Sequence, residues 1–154
     1  MQTRRDLLSA SAKVAVMLAG AGLVPGLAQA QGTWNTAAFD ARNLAELMKA
    51  MGGAAPTESK EVTLTGPDIA ENGAVVPVAA ATTLAGAKKL LLLVEKNPNM
   101  LSAMFDINDS VEPNFATRVK MGQSSNVYAV ALMADGKAHF AMKEIKVTLG
   151  GCGG

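Results

Sequence analysis

Apolar and polar positions change rhythm once along this chain. Between residues 36 and 51 the apolar side chains recur at helical spacing: Leu44, Leu47, Met48 and Met51 stand at i, i+3, i+4 and i+7, with Ala41 one turn earlier. Asn35 or Thr36 can cap the start, and Gly52-Gly53 stops the run. The pattern predicts one helix over 36–51, laid on an edge or end of the remaining structure. From residue 62 onward the period falls to two. Val62 and Leu64 alternate with Thr63 and Thr65 until Pro67 breaks the run. Residues 74–83 read as a weaker strand whose Pro77 predicts a sheet edge or a bulge. Residues 90–95 are a continuous apolar run, suited to a central strand covered on both faces. Asn97-Pro98-Asn99 turns the chain, residues 101–107 return, 108–114 form a polar loop, and 117–121 make a short strand before a turn at 122–125.

The end of the chain reads as a hairpin. Residues 126–134 and 137–149 flank Asp135-Gly136, a two-residue hairpin signal. Within the last strand the apolar phase switches, from Ala138, Phe140 and Met142 at even positions to Ile145, Val147 and Leu149 at odd ones. A β-bulge near Lys143-Glu144 would reconcile the halves. Some seven short strands with one helix in front predict an antiparallel β-sandwich.

Ahead of this domain stands a leader. Thr3-Arg4-Arg5-Asp6-Leu7-Leu8 is a twin-arginine pattern, residues 14–27 are apolar and rich in Ala and Gly, and Ala28-Gln29-Ala30 is a small-x-small cleavage site. Residues 1–30 therefore read as an export signal, and the expected location is the periplasm. The apolar stretch is too short for a membrane anchor, so none is expected in the mature chain. The boundaries follow: signal 1–30, sandwich domain 31–149, carboxyl-terminal arm 150–154. Of the 154 residues, removal of the leader leaves 124; with Arg4, Arg5, Lys13 and Asp6 gone, 11 basic and 12 acidic residues remain. Such a balance, without a basic patch, argues against nucleic acid as a partner.

The chain has one cysteine, Cys152, set in Gly150-Gly151-Cys152-Gly153-Gly154. An exported protein usually spends cysteines on disulfides, but a sole cysteine is either an intermolecular link or a reactive thiol. Four glycines give the backbone the widest conformational range, so the arm reads as a flexible tether on which Cys152 reaches roughly 10 Å beyond Leu149. The nearby terminal carboxylate disfavours the thiolate, so activation must come from a partner's pocket. His139, the one histidine, is thirteen residues away. On an extended strand that is roughly 40 Å, beyond the tether's reach, so it reads as a strand residue. One Cys and one His make no metal site, and no cofactor site is expected. Asp106 and Asp109, without a partner acid or base, read as turn residues. The seven methionines after the leader read as core fillers. Asn72-Gly73 and Asn97-Pro98-Asn99 read as turns rather than docking surfaces.

Three stretches carry a resemblance: Val147-Thr148-Leu149-Gly150-Gly151-Cys152-Gly153-Gly154, Leu64-Thr65-Gly66-Pro67-Asp68-Ile69-Ala70-Glu71-Asn72-Gly73-Ala74-Val75-Val76-Pro77-Val78, and Glu95-Lys96-Asn97-Pro98-Asn99. Over essentially the whole mature chain the sequence resembles the SoxY family, the sulfur-carrier subunits of the bacterial thiosulfate-oxidising system. The resemblance implies an immunoglobulin-like sandwich and covalent attachment of sulfur intermediates to Cys152. It implies a carrier rather than an enzyme. The implied partners are a SoxZ-like subunit, in a heterodimer or higher heteromer, and the haem, hydrolase and dehydrogenase enzymes of the Sox system. The residues by themselves leave two other readings. One is a structural sandwich subunit dimerised by a Cys152 disulfide. The other is a thiocarboxylate carrier reactive at Gly154, whose ATP-dependent activation in the cytoplasm the export signal opposes.

Overall fold

The structure, a computed structural model, describes residues 35–148. The leader 1–30 and the arm 150–154 both lie outside the described residues. The amino-terminal helical run is two helices, α1 (Thr36–Asp40) and α2 (Leu44–Ala50), where the apolar spacing predicts one. The break is made by local polar groups. Asn43 Oδ1 accepts from the Glu46 N–H at 2.9 Å, and the Glu46 carboxylate accepts from the Arg42 N–H at 3.0 Å. Reciprocal bonds of this kind begin a helix, much like a capping box, and they leave Ala41 extended at ψ 132°. The bond from the Arg42 amide is also the main reason that the Glu46 carboxyl lies below its ordinary pKa. Ala38, Ala41, Leu47 and Met48 are all buried across the break.

Nine strands follow among the described residues: β1 (Thr57–Glu58), β2 (Val62–Thr65), β3 (Ile69–Ala70), β4 (Val76–Thr82), β5 (Ala87–Val94), β6 (Leu101–Asp106), β7 (Asn114–Val119), β8 (Ser125–Met133) and β9 (Ala138–Val147). The larger sheet has the order β1-β9-β8-β5-β6, with β3 also on β9; the smaller is β2-β4-β7. Between them lies a sandwich core that includes Val62, Val76, Val78, Leu90, Leu92, Val127 and Ile145. A second apolar layer forms where α1 and α2 cover the outer face of the larger sheet, over Leu91, Leu93, Val130, Leu132 and Ala138. The helices thus cover a sheet face, not an edge or end. The strand expected at 90–95 is buried on both faces from Leu90 through Val94, as its unbroken apolar run requires.

The two layers also account for the phase switch in β9. No bulge is present near Lys143-Glu144, because β8 and β9 pair without a register shift from Ser125↔Ile145 to Leu132↔Ala138. What changes is the cover. Ala138 and Phe140 face the helix layer, whereas Ile145 and Val147 face the sandwich core. Past the helices the outward position Met142 is left 50% exposed. Two further expectations change in detail. Pro77 sits in β4, the centre of the smaller sheet, yet β2 pairing stops at Thr65↔Ala79, so its missing N–H interrupts no ladder with β2. The β8–β9 loop has three residues: the Met133 N–H donates to Lys137 O at 2.8 Å, the Gly136 N–H to Met133 O at 3.1 Å, and Gly136 takes φ +82°.

Leu91 and Leu92 are adjacent, both fully buried, and lie on opposite faces of β5. Leu91→Ala and Leu92→Ala are each expected to lower the unfolding free energy by about 2–5 kcal/mol in urea titrations. A Leu91 variant within a few tenths of wild type would mean that the helices close no real core.

Candidate functional site

The residues singled out for chemistry, Cys152 with Gly150, Gly151, Gly153 and Gly154, lie outside the described residues. What the structure does place is the root from which they extend. β9 ends at Val147, and it is held from both sides there. On one side the Val147 N–H donates to Ser124 Oγ at 2.9 Å. On the other, β3 runs parallel to β9 with Ile69↔Lys146 and Ala70↔Val147 in register. The Lys146 N–H donates to Asp68 O at 3.0 Å, and the Thr148 N–H to Ala70 O at 3.1 Å. Thr148 Oγ1 also reaches Glu71 O at 3.4 Å. Backbone pairing therefore continues to Thr148, the last described residue.

The turn after β3 explains Asn72-Gly73. Asn72 Oδ1 accepts from the Ala74 N–H at 2.9 Å, and the Met121 N–H donates to Gly73 O at 2.6 Å. A Cβ on Gly73 would lie 2.3 Å from Met121 O and 2.8 Å from Val147 Cγ1. Only glycine lets the three segments meet, so this pair is structural, as read from the sequence. Asn97 and Asn99 also serve turns, donating to Lys120 O at 2.7 Å and Phe39 O at 2.8 Å. Lys143 adds a polar tie before the root. Its Nζ donates to Gly66 O at 2.6 Å and meets Asp68 Oδ1 at 2.8 Å. The Asp68 carboxyl is held below its usual pKa, first by the Lys143 hydrogen bond and then by its charge.

Other candidates stand apart. His139 is half-buried near the start of β9, paired with Thr57 and Ala131. Eight residues of continuous strand put it about 26 Å from Val147. The five residues from Val147 to Cys152 span at most about 18 Å, so His139 lies out of reach of that thiol. Asp106 ends β6 and pairs with Lys89. Met48, Met100 and Met121 are buried, Met51, Met104 and Met133 are partly so, and only Met142 departs from the core role. Among the described residues no group of three His, Cys, Asp or Glu is placed to hold a metal, and no helix is long and apolar enough to cross a membrane. Sequence reasoning missed the two short parallel strands β1 and β3 and the Ser124 anchor. Two residues are too few to show a period, and a serine in a turn gives no sign of its partner.

The family described as sulfur oxidation protein SoxY matches residues 47–152. The chain belongs to the SoxY family. That match covers most of the sandwich and runs on through the sole cysteine. The chain is similar to the solved structure of the sulfur carrier protein SoxY from Chlorobium limicola f thiosulfatophilum. Identity is 34%, coverage is 69% of this chain and 96% of that one, and the TM-score is 0.62. A superoxide reductase (neelaredoxin) from Ignicoccus hospitalis shares the fold at 19% identity, covering 59% of this chain and 82% of its own, with a TM-score of 0.51. No curated protein matches the chain. The SoxY likeness bears out the immunoglobulin-like sandwich and the family resemblance carried by the terminal motif.

Two variants probe the root. Gly73→Ala is expected to cost about 1–3 kcal/mol in urea unfolding, because its Cβ must displace backbone. Asp68→Asn tests the Lys143 tie. Folding lowers the Asp68 pKa, so its contribution is present above the ordinary carboxylate value of about 3.9 and fades as pH falls through the lower folded value. The urea midpoint of Asp68→Asn should fall below wild type near neutral pH, and the gap should close as the pH falls through the lowered folded value. A gap that widens in acid would contradict the assignment.

Proposed function

We propose that this protein is a covalent sulfur carrier in thiosulfate oxidation, with Cys152 as the attachment atom. The observation that carries the reading is the family match that reaches residue 152 and so takes in the only cysteine of the chain. The geometry of the root supports it: β9 is paired on both sides to Val147, so whatever follows Thr148 begins from a fixed point. Among the described residues no group of three His, Cys, Asp or Glu is placed to hold a metal, and the one histidine lies beyond the thiol's reach. Partners must then supply the chemistry.

The loading step joins Cys152 Sγ to the outer sulfur of thiosulfate. The thiol proton goes to solvent and two electrons pass to a haem protein of the Sox system, leaving a Cys152 S-thiosulfonate. A hydrolase then adds water across the bond between the sulfane sulfur and the sulfonate. Sulfate leaves, and a persulfide remains on Cys152. A dehydrogenase then takes six electrons from the outer sulfur, which gains three oxygens from water as six protons go to solvent, giving a Cys152 S-sulfonate; a second hydrolysis releases it as sulfate and restores the thiol. The carrier itself needs reach and access, not catalytic groups. A SoxZ-like subunit is its companion, and the twin-arginine leader would take the folded pair to the periplasm.

Cys152→Ser is expected to abolish thiosulfate-dependent electron transfer in the reconstituted system while leaving the thermal midpoint within about 1 °C, as for a substitution that removes no core packing. Turnover that survives would remove the proposal. Replacing Gly150 and Gly151 by Pro should slow processing by the partner enzymes, because proline fixes φ and restricts the preceding residue. Reaction with a small thiol reagent should stay at the wild-type rate. Equal enzymatic rates for both proteins would show that backbone freedom in the arm is not needed.

A further inference from the structure

β9 loses its partner strand one bonded pair before it ends. In the β8–β9 ladder the odd residues exchange backbone bonds: the Met133 N–H donates to Lys137 O, whereas the Asn126 carbonyl turns the other way and accepts from the Glu95 N–H. The register is unbroken to Ser125↔Ile145, so the next bonded pair would be Gln123↔Val147. No backbone bond joins those two described residues. Ser124 fills both places with its side chain. Its Oγ accepts from the Val147 N–H at 2.9 Å and donates to Val147 O at 3.5 Å. A hydroxyl has one donor and two acceptor sites, so a single side chain can serve both polar groups of the last strand residue.

The opposite side of β9 is held less completely. β3 takes the N–H of Lys146 on Asp68 O and that of Thr148 on Ala70 O, but alternation turns the N–H of Val147 away from it. β3 is two residues long, pairs only with β9 among the described strands, and leaves Ile69 57% exposed. Ser124 is thus the one described partner of the Val147 N–H. Val147 is half-buried, and a backbone group in such a place is paired or moves out to water. Without the hydroxyl, the strand end frays back to Ile145, which is fully buried and paired with Ser125.

The consequence is a length. Cys152 is four residues past Thr148 and lies at most about 14 Å from it. Counted from Ile145, seven residues span at most about 25 Å. We infer that Ser124 is a positioning residue of the carrier: by holding Val147 in the sheet, its hydroxyl sets how far from the domain Cys152 can be presented. The functional half of this inference rests on the carrier reading, and the structural half does not.

Hydrogen exchange of the mature chain tests the structural half. In Ser124→Ala the Val147 and Thr148 amides should exchange about tenfold faster or more, the scale of one lost hydrogen bond, while Val127 and Ile145 keep wild-type protection. Ser124→Thr keeps the hydroxyl and should restore protection. The functional half is read from arm length. Deletion of Gly150 shortens the reach by about 3.5 Å and should slow processing of the thiosulfate-loaded carrier by the hydrolase. Ser124→Ala added to that deletion should recover speed, whereas a merely structural serine would leave the double variant as slow as the deletion or slower. Wild-type exchange at Val147 in Ser124→Ala would overturn the inference. So would losses that spread equally to Val127 and Ile145, or a double variant no faster than the deletion alone. Absence of sulfur adducts on wild-type Cys152 would instead strike the carrier reading, with the exchange result still deciding what Ser124 does at the root.

Discussion

Burial of β5 on both faces is the constraint on which the architecture depends. Leu90 and Leu92 must meet a second sheet, and Leu91 and Leu93 must meet something else. Each leucine taken from water is worth about 1.5–3 kcal/mol, so neither face can be left wet. The smaller sheet answers the first requirement and the pair α1–α2 the second. This explains the helix break at Ala41: two short helices with separate caps bury Ala38 and Ala41 as well as Leu47 and Met48. It also places β8 and β9 between the same two layers, with consequences at the far end of β9.

β9 leaves the cover of the helices about halfway along. Its outward side chains turn from Ala138 and Phe140 to Met142, Glu144 and Lys146, while its inward ones stay in the sandwich core to Val147. The strand therefore emerges from the fold still anchored on its inner face. β3 and Ser124 then hold its backbone from either side. A carrier needs this division between a fixed root and a reactive group beyond it. Gly73 is part of the division, because any side chain there would push Met121 and Val147 apart.

Much of this is legible in the sequence. The central strand announces itself as Leu90-Leu91-Leu92-Leu93-Val94, and Asn72-Gly73 and Asp135-Gly136 mark true turns. The terminal motif around Cys152 points to the family that the comparisons show. Other features mislead for physical reasons. The phase switch in β9 has the form of a bulge but comes from a change of cover, which no single strand can reveal. The helix break depends on side-chain bonds from Asn43 and Glu46 that override an intact apolar period. Pro77 reads as an edge signal, yet its strand is central and only its neighbour β2 stops short. Within the candidate site, the cysteine stands out by being alone, whereas the anchors of its root are the Ser124 hydroxyl and the backbone of residues 68–71, all distant in sequence, and leave no local trace.

The claim at the centre is that sulfur travels on one atom of this chain. Peptide mass mapping of the mature protein, recovered after turnover with thiosulfate, its Sox partners and no reductant, tests it most directly. The account predicts mass additions of thiosulfate or sulfane sulfur confined to the carboxyl-terminal peptide, fragmenting at Cys152 and released by a thiol reductant. Additions at the Gly154 carboxylate, or a terminal peptide that stays unmodified while thiosulfate is consumed, would contradict it.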